Sequence, residues 1–332
     1  MSTLFRWIGT GALIALSTFH TAAQSISGPS LGFVSNEDGT RIWPLLGILG
    51  ASVPGRPLEL PEGITQATLS PQQDYAIAVA TSNSQPVIVY LDSSSPTIAP
   101  LAGGRSNPSL FAISPTGSAA ALYEKGSRML QLVSGLPAAP QIGAEIDISS
   151  LGDIHDIAVS DDAKLALVNA GSDIRTLSVV QENGSTSPVS GTQPSRMTFI
   201  SGRPDAVIAD DAAQEVFVLQ GLDQNPVRAP GIVFRDSARE FSAVGASRDA
   251  RWIFVAQRDS EDISILDLET RAVRVVPCHC KPTTFFPMKG VSVFRLNGFS
   301  NGPITVLDAS SSNPRTLIIP MDPNQLGDAV EQ

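Results

Sequence analysis

The sequence contains few of the residue types that most often carry out chemistry. Its 332 residues include 3 histidines and 2 cysteines. A zinc site needs about four ligands, and a nucleophilic triad needs a serine or cysteine beside a histidine and an acid. No Gly-x-Ser-x-Gly elbow, phosphate-binding loop or dinucleotide fingerprint is present in the sequence. These absences argue against a metalloenzyme and a nucleotide-binding enzyme, and we expect no cofactor.

Charged residues are also scarce, and positive charge is the scarcer sign. They make up 16% of the chain, with 22 Lys and Arg against 32 Asp and Glu and a net charge of −10. Because nucleic-acid binding needs clustered Lys and Arg, we expect no nucleic-acid partner. Disordered chains are poor in apolar residues, whereas 42% of this chain is hydrophobic. The composition therefore predicts a folded chain with a large core.

The N-terminal segment has the features of a signal peptide. Arg6 supplies the positive charge, residues 8–16 supply a short apolar run, and residues 21–23 supply small side chains for cleavage after Ala23. The apolar run is shorter than the ~20 residues that a spanning helix needs. We therefore expect residues 1–23 to be removed and the mature chain to be secreted or periplasmic. We expect it to be a monomer with no membrane span.

A repeat organises the rest of the chain. Five segments share a short apolar strand that ends in serine, a turn, and a second apolar strand. Two degenerate copies extend the series, so that the seven anchor residues lie 41–46 residues apart. The anchors are Ser27, Ser70, Ser114, Ser160, Ser201, Ser247 and Met288.

The interior of each repeat predicts four short strands. Four strands in ~40–45 residues are typical of a propeller blade, and a β-sandwich would not need a constant period. The sequence therefore predicts an all-β, seven-bladed β-propeller of four-stranded antiparallel blades over residues 24–320. Residues 24–26 leave little room for an inner strand in the first blade. We expect the C-terminal tail, residues 321–332, to close the ring, although it could equally be a frayed end.

The turn sequences resemble a known group of repeats. Ser114-Pro115-Thr116-Gly117 keeps the pattern of the "SPDG" repeats in bacterial propellers, which include TolB-like, YVTN-type and lactonase-like seven-bladed families. The resemblance covers residues 27–320 and implies the fold. It carries little information about activity, because these residues set packing and turn geometry. The Trp-Asp signature of WD40-like repeats is absent from the sequence.

Candidate binding residues cluster in two kinds of loop. In a propeller, the connections that lead into the inner strands share one face with the turns between the second and third strands, and ligands of propellers usually bind on that face. These loops predict a polar ligand-binding face that could equally be an ordinary solvated surface. The candidate residues are Arg105, Asn107, Asp153, His155, Arg196, Arg239 and Lys281.

Both cysteines lie in one tripeptide, Cys278-His279-Cys280. A disulfide between Cys278 and Cys280 suits an exported protein, although such a small ring is strained. Thiolates with His279 could instead hold copper or zinc, but too few histidines are available for a complete zinc site. A pair of free thiols is the third alternative.

Three functions compete at this stage. The first is a non-catalytic module that binds an unidentified protein or small molecule through the loop face. The second is a lactonase-like hydrolase of a small ester that uses His155, Arg105, Arg196 and Arg239. Asp153 and Asp156 flank His155, which makes this the one place with acid–base potential. The third is a periplasmic metal-binding propeller centred on Cys278 and Cys280.

Overall fold

The strands form seven antiparallel sheets, which are the blades of a propeller. The computed structural model describes residues 28–91, 95–234, 240–299 and 302–320. Six of the sheets have four strands each, and the sheet nearest the N-terminus has three in the described residues. This order confirms the predicted all-β, seven-bladed architecture. Within these ranges, no helix is long and apolar enough to cross a membrane. The predicted signal peptide and C-terminal tail lie outside the described residues.

The blades follow one another along the chain, and strands run from the inside of each blade outward. Blade 1 consists of β1 (Ser30–Ser35), β2 (Ile42–Ile48) and β3 (Ala51–Pro54). Blade 2 consists of β4 (Ile64–Leu69), β5 (Tyr75–Ala80), β6 (Pro86–Tyr90) and β7 (Thr97–Pro100). Blade 3 consists of β8 (Leu110–Ile113), β9 (Ala120–Glu124), β10 (Met129–Ser134) and β11 (Gln141–Asp147), followed by a short 3-10 turn (Ser149–Leu151).

The remaining four blades repeat the four-stranded plan. Blade 4 consists of β12 (Ile154–Val159), β13 (Leu165–Ala170), β14 (Thr176–Gln181) and β15 (Thr186–Val189). Blade 5 consists of β16 (Pro194–Phe199), β17 (Ala206–Asp210), β18 (Glu215–Gln220) and β19 (Val227–Val233). Blade 6 consists of β20 (Phe241–Ala246), β21 (Trp252–Gln257), β22 (Asp262–Asp267) and β23 (Val273–Pro277). Blade 7 consists of β24 (Phe286–Pro287), β25 (Val293–Arg295), β26 (Ile304–Asp308) and β27 (Arg315–Ile319).

The anchor serines hold the turn between the first and second strands of their blades. Ser247 is fully buried, and its Oγ donates to Asp249 Oδ1 and accepts from the backbone N–H of Trp252. Ser160 makes the same pair of contacts with Asp162 and Leu165. A short polar side chain that bonds to its own turn stabilises the turn locally. The repeat in the sequence therefore reflects hydrogen bonds of the serine side chain that recur in these turns.

The core lies between blades rather than within them. Seven buried clusters occupy the interfaces between successive blades, including the interface of blade 7 with blade 1. The second strands are buried on both faces, and every residue of β5 and of β13 is buried. Burial on both faces explains why these strands are continuously apolar instead of alternating.

Blade 1 differs from the others at its inner edge. By its distance from Ser27, β1 corresponds to the second strand of the other blades, so the described residues contain no inner strand for this blade. The edge of β1 is bonded instead by groups from other blades. Phe33 N donates to the side-chain oxygen of Gln73 at 2.6 Å, and Leu31 O accepts from Lys289 N at 3.0 Å. The predicted closure by residues 321–332 falls outside the described residues and stays a prediction.

Candidate functional site

The two ends of the propeller are built from different loops. At one end, the connections between blades bond to the turns between second and third strands: Gln193 N donates to Asp210 and Phe241 N donates to Asp211. We call this end the loop face. At the opposite end, the turns that carry the anchor serines bond to one another, as when Asp161 accepts from Thr116 N and Gly202 N. The loop face is the end that carries the candidate residues from the sequence.

The opposite end of the central channel is narrow and apolar. A cavity of about 160 Å³ there is lined by residues of the inner strands and the adjoining turns, including Phe199, Phe285 and Phe286. Arg248 donates from its guanidinium to the backbone oxygens of Pro71 and Met288 and thereby joins turns of blades 6, 2 and 7. The desolvation of Arg248 lowers its pKa. This cavity offers little room for a polar ligand. A wider opening of about 600 Å³ lies at the same end, between blades 4 and 5, and is lined mostly by polar residues.

The loop face carries a cleft of about 310 Å³ between blades 4, 5 and 6. This volume lies at the lower end of the ~300–1,000 Å³ found for small-molecule sites. We call it the loop-face cleft. Its lining residues are Asp173, Arg175, Gln193, Pro194, Ser195, Arg196, Asp211, Ala212, Glu240, Phe241 and Arg258.

A repeated β-bulge places the charged side chains beside this cleft. The pairing of the first two strands slips by one residue at His155 in β12, at Ser195 in β16 and at Ser242 in β20. A bulge re-aims the side chains that follow it. The residues directly after the first two bulges are Asp156 and Arg196, so the same irregularity positions both groups near the mouth of the channel.

Backbone carbonyls fix the guanidinium of Arg196. Its Nε donates to Ser242 O at 2.8 Å and its Nη1 donates to Ser195 O at 2.7 Å. Arg258, at the rim of the cleft, is paired with Glu240 at 3.0 Å. Arg175 is exposed and has no hydrogen bond or ion pair with the described residues. Two of the three arginines in the cleft therefore lack a carboxylate partner in the described part of the chain.

Asp156 has the largest pKa shift among the acids of the site. Its carboxylate accepts from Ile157 N at 2.9 Å. Burial raises its pKa to about 6, and this effect outweighs the opposing influence of that hydrogen bond and of the Arg196 and Arg175 charges. Because desolvation disfavours the charged form, Asp156 is substantially neutral at weakly acidic pH.

The two sequence-predicted arginines that lie within the described residues, Arg105 and Arg196, do not contact each other. Arg105 lies over blade 3, where its guanidinium contacts Glu124 at 3.2 Å and Glu145 at 2.6 Å. Arg196 lies in the loop-face cleft, between blades 5 and 6. Arg239 lies outside the described residues. The described contacts of Arg105 thus serve its own blade, and none of them reaches Arg196 or His155.

The other candidates are distributed over the loop face. His155 is exposed, and its Nε2 lies 2.5 Å from Gly171 O. Asp153 is paired with Arg128 at 3.6 Å, and Lys281 is paired with Asp259 at 3.0 Å. Asn107 has a positive φ of 53° and donates its backbone N–H to Ser84 O. These residues shape the loops around the channel and are not part of the cleft lining.

The structure joins the two cysteines. A disulfide connects Cys278 and Cys280, with a Cα–Cα distance of 5.1 Å. Cys278 is buried among apolar residues between blades 6 and 7, whereas His279 is exposed. With the sulfurs bonded to each other, no thiolate pair is present for a metal. The described residues contain no group of three or more His, Cys, Asp or Glu side chains placed to hold a metal ion.

Sequence reasoning missed Arg175. The pattern predicts a third strand over residues 174–179, which would put Arg175 within a sheet. In the structure β14 begins at Thr176, and Arg175 belongs to the turn that lines the cleft. Gly171, with a φ of 128°, and the polar residues after it were the available signal for a longer turn.

Comparisons with known proteins support the fold and leave the activity open. No protein-family model matches the sequence, and no curated protein matches it. Many solved structures are similar in fold. One is a protein of unknown function from Desulfotomaculum acetoxidans, with a TM-score of 0.57 and 14% identity over 88% of this chain and 100% of that chain.

Two further solved structures are similar to this chain in fold and belong to proteins with different names. A protein from Bacteroides fragilis, provisionally assigned as a 6-phosphogluconolactonase, has a TM-score of 0.56 and 13% identity over 88% of this chain and 94% of that chain. Apo AztD from Citrobacter koseri has a TM-score of 0.56 and 12% identity over 87% of this chain and 82% of that chain. At these identities the likeness shows a shared propeller fold only.

Proposed function

We propose that this protein is an exported, non-catalytic propeller that binds a ligand in the loop-face cleft. The observation that carries the proposal is the cleft itself, which has small-molecule dimensions and arginines without carboxylate partners among the described residues. The cleft combines an opening of that size with an arginine that backbone carbonyls hold in place. Such a combination is the usual form of a binding site.

The position of His155 favours binding over hydrolysis. A general base must lie within hydrogen-bond reach of the group that it deprotonates. His155 Nε2 faces a backbone carbonyl of its own blade, and His155 is not among the residues that line the cleft. The alternative, a lactonase-like hydrolase, would need this ring to turn toward a bound ester.

A matched pair of substitutions tests the proposal. Ala212 and Ala213 are adjacent and exposed, but only Ala212 lines the cleft. Ala212→Trp should block the cleft, and Ala213→Trp is the control. Ligand-observed NMR with a panel of carboxylic acids, amines, sugars and capped tripeptides should detect saturable binding to the wild type and to Ala213→Trp, and not to Ala212→Trp.

An activity assay on the same protein tests the alternative. Small esters and lactones should give no turnover above background with the wild type. Turnover that disappears in His155→Ala would establish the hydrolase instead. Failure of every class in the NMR panel to bind would also contradict the proposed function.

A further inference from the structure

The loop-face cleft contains two arginines, Arg175 and Arg196, that make no ion pair with its carboxylates among the described residues. Asp211 Oδ1 accepts from Phe241 N at 2.8 Å, and the neighbouring Asp210 accepts from Gln193 N and Ala213 N. These carboxylates bond to the backbone and fix the starts of β16 and β20. Arg196 is held by backbone oxygens. Arg196 and these aspartates therefore lie in the same part of the molecule without pairing, whereas Arg258 is paired with Glu240.

The guanidinium of Arg196 is held in one orientation and keeps a nitrogen with which it can bind a ligand. Its two bonds use Nε and Nη1, which leaves Nη2 without a partner among the described residues. Arg175 reaches the cleft from the adjacent blade. A guanidinium that is already oriented loses less conformational entropy when it binds an anion. A second arginine nearby allows a planar, singly charged group to be held from two sides.

The surroundings select among anions. Asp173, Asp211 and Glu240 also line the cleft, and they would repel a dianion such as phosphate more strongly than a monoanion. Asp156 adds little repulsion at weakly acidic pH, because desolvation raises its pKa to about 6. A carboxylate carries one charge and two oxygens in the plane that an arginine fork recognises.

We propose that the loop-face cleft binds the carboxylate of its ligand through Arg196 and Arg175. This inference rests on the proposed function and names the chemical class of the ligand. The carboxylate has two sources, a free small carboxylic acid or the C-terminus of a peptide. Both present the same group to the two arginines, and the experiment separates them.

Three probe families test the inference on the full chain. The first is acetate, lactate and benzoate, which each carry one charge. The second is a set of acetyl-capped tripeptides with free C-termini, and the third is the same tripeptides as C-terminal amides. Binding by isothermal titration should be seen for at least one carboxylate probe, and amidation should abolish peptide binding. Binding of the small acids alone would identify a free small acid as the source of the carboxylate. Binding of the free-terminus peptides alone would identify the C-terminus of a peptide.

Arginine-to-glutamine variants assign the contact. Arg196→Gln and Arg175→Gln should each weaken carboxylate binding about tenfold or more, as expected for the loss of one charge-assisted hydrogen bond. Arg128→Gln is the matched control, since Arg128 lies on the same face, paired with Asp153 outside the cleft. Circular dichroism of each variant checks that the fold is intact.

The outcomes separate this inference from the proposed function. If neutral or cationic probes bind in the cleft and are blocked by Ala212→Trp, the binding function stands and the carboxylate inference is wrong. Equal weakening in Arg128→Gln would also overturn it. So would inorganic phosphate that binds more tightly than every carboxylate.

Discussion

At the scale of single residues, the loop face shows how similar side chains acquire different tasks. Arg105 lies in the connection between blades 2 and 3, Arg196 lies just after the connection between blades 4 and 5, and the sequence gives no reason to separate them. The structure places two glutamates beside Arg105 and backbone carbonyls beside Arg196. An arginine that is satisfied by its own blade mainly organises that blade, whereas one without a carboxylate partner can accept an anion.

Asp156→Asn should stabilise the protein at neutral pH. The pKa of Asp156 is raised to about 6 in the folded state from its ordinary value of 3.8, so folding favours the protonated form. Stability from this group is therefore present below about pH 4 and is lost as pH rises through about 6. Two pKa units correspond to at most about 3 kcal/mol, and partial exposure reduces the expected gain of the variant to about 1–2 kcal/mol.

Urea unfolding at pH 4 and pH 8 checks this prediction. The advantage of Asp156→Asn should appear at pH 8 and vanish at pH 4, because asparagine can still accept from Ile157 N. Asp173→Asn is the control, since Asp173 is exposed at the rim of the same cleft. An advantage of equal size at both pH values would show that the desolvation of a charged Asp156 is not its cause.

At the scale of elements, the turn between the first two strands is the repeating device. The residue three positions after the anchor adopts a left-handed backbone in several blades: φ is 76° at Gly117, 57° at Ala163 and 57° at Ala250. Glycine takes this conformation without strain, which explains the glycine of the Ser-Pro-x-Gly pattern at Gly117. The eroded copies place alanine in the same conformation.

Loss of an anchor serine should destabilise the fold. Ser247→Ala removes the acceptor for Trp252 N and the donor to Asp249 in a fully buried position. The free energy of unfolding should fall by about 1–2 kcal/mol, the effect of an unsatisfied buried group. Ser187→Ala, on the exposed outer strand of blade 4, should change it by less than about 0.5 kcal/mol. Equal losses of stability for Ser247→Ala and Ser187→Ala in thermal unfolding would show that the anchor serine has no special role.

The sequence predicts these elements well and the cleft poorly, and the reason is physical. Turn chemistry and doubly buried strands leave local signals, so the serine anchors and the apolar run of β5 reveal the blades. The bulges at His155 and Ser195 depend on how neighbouring strands pair, which no local pattern encodes. The predicted third strand of blade 4 begins at residue 174, whereas β14 begins at Thr176. This difference at one strand boundary puts Arg175 in a turn, where it lines the cleft.

At the scale of the whole molecule, the side chain of Gln73 links three blades at the place where the ring closes. Gln73 belongs to a turn of blade 2 and is buried. Its side-chain oxygen accepts from Phe33 N in blade 1 at 2.6 Å, and its Nε2 donates to Pro287 O in blade 7 at 2.7 Å. Gly32 permits this approach, because a Cβ there would lie 2.7 Å from that oxygen. The amide thus bonds the inner edge that blade 1 leaves open in the described residues.

Gln73→Ala should weaken ring closure. The substitution leaves Phe33 N and Pro287 O without partners inside the protein, which should lower the free energy of unfolding in urea by about 1–3 kcal/mol. Gln73→Glu should be destabilising as well, because a carboxylate keeps the acceptor for Phe33 N but places an oxygen against Pro287 O. Gln72→Ala is the matched control, since Gln72 is exposed and its Nε2 bonds only to Thr116 O; it should change stability by less than about 0.5 kcal/mol. If Gln73→Ala behaves like Gln72→Ala, the apolar packing between blades 7 and 1 is sufficient to close the ring.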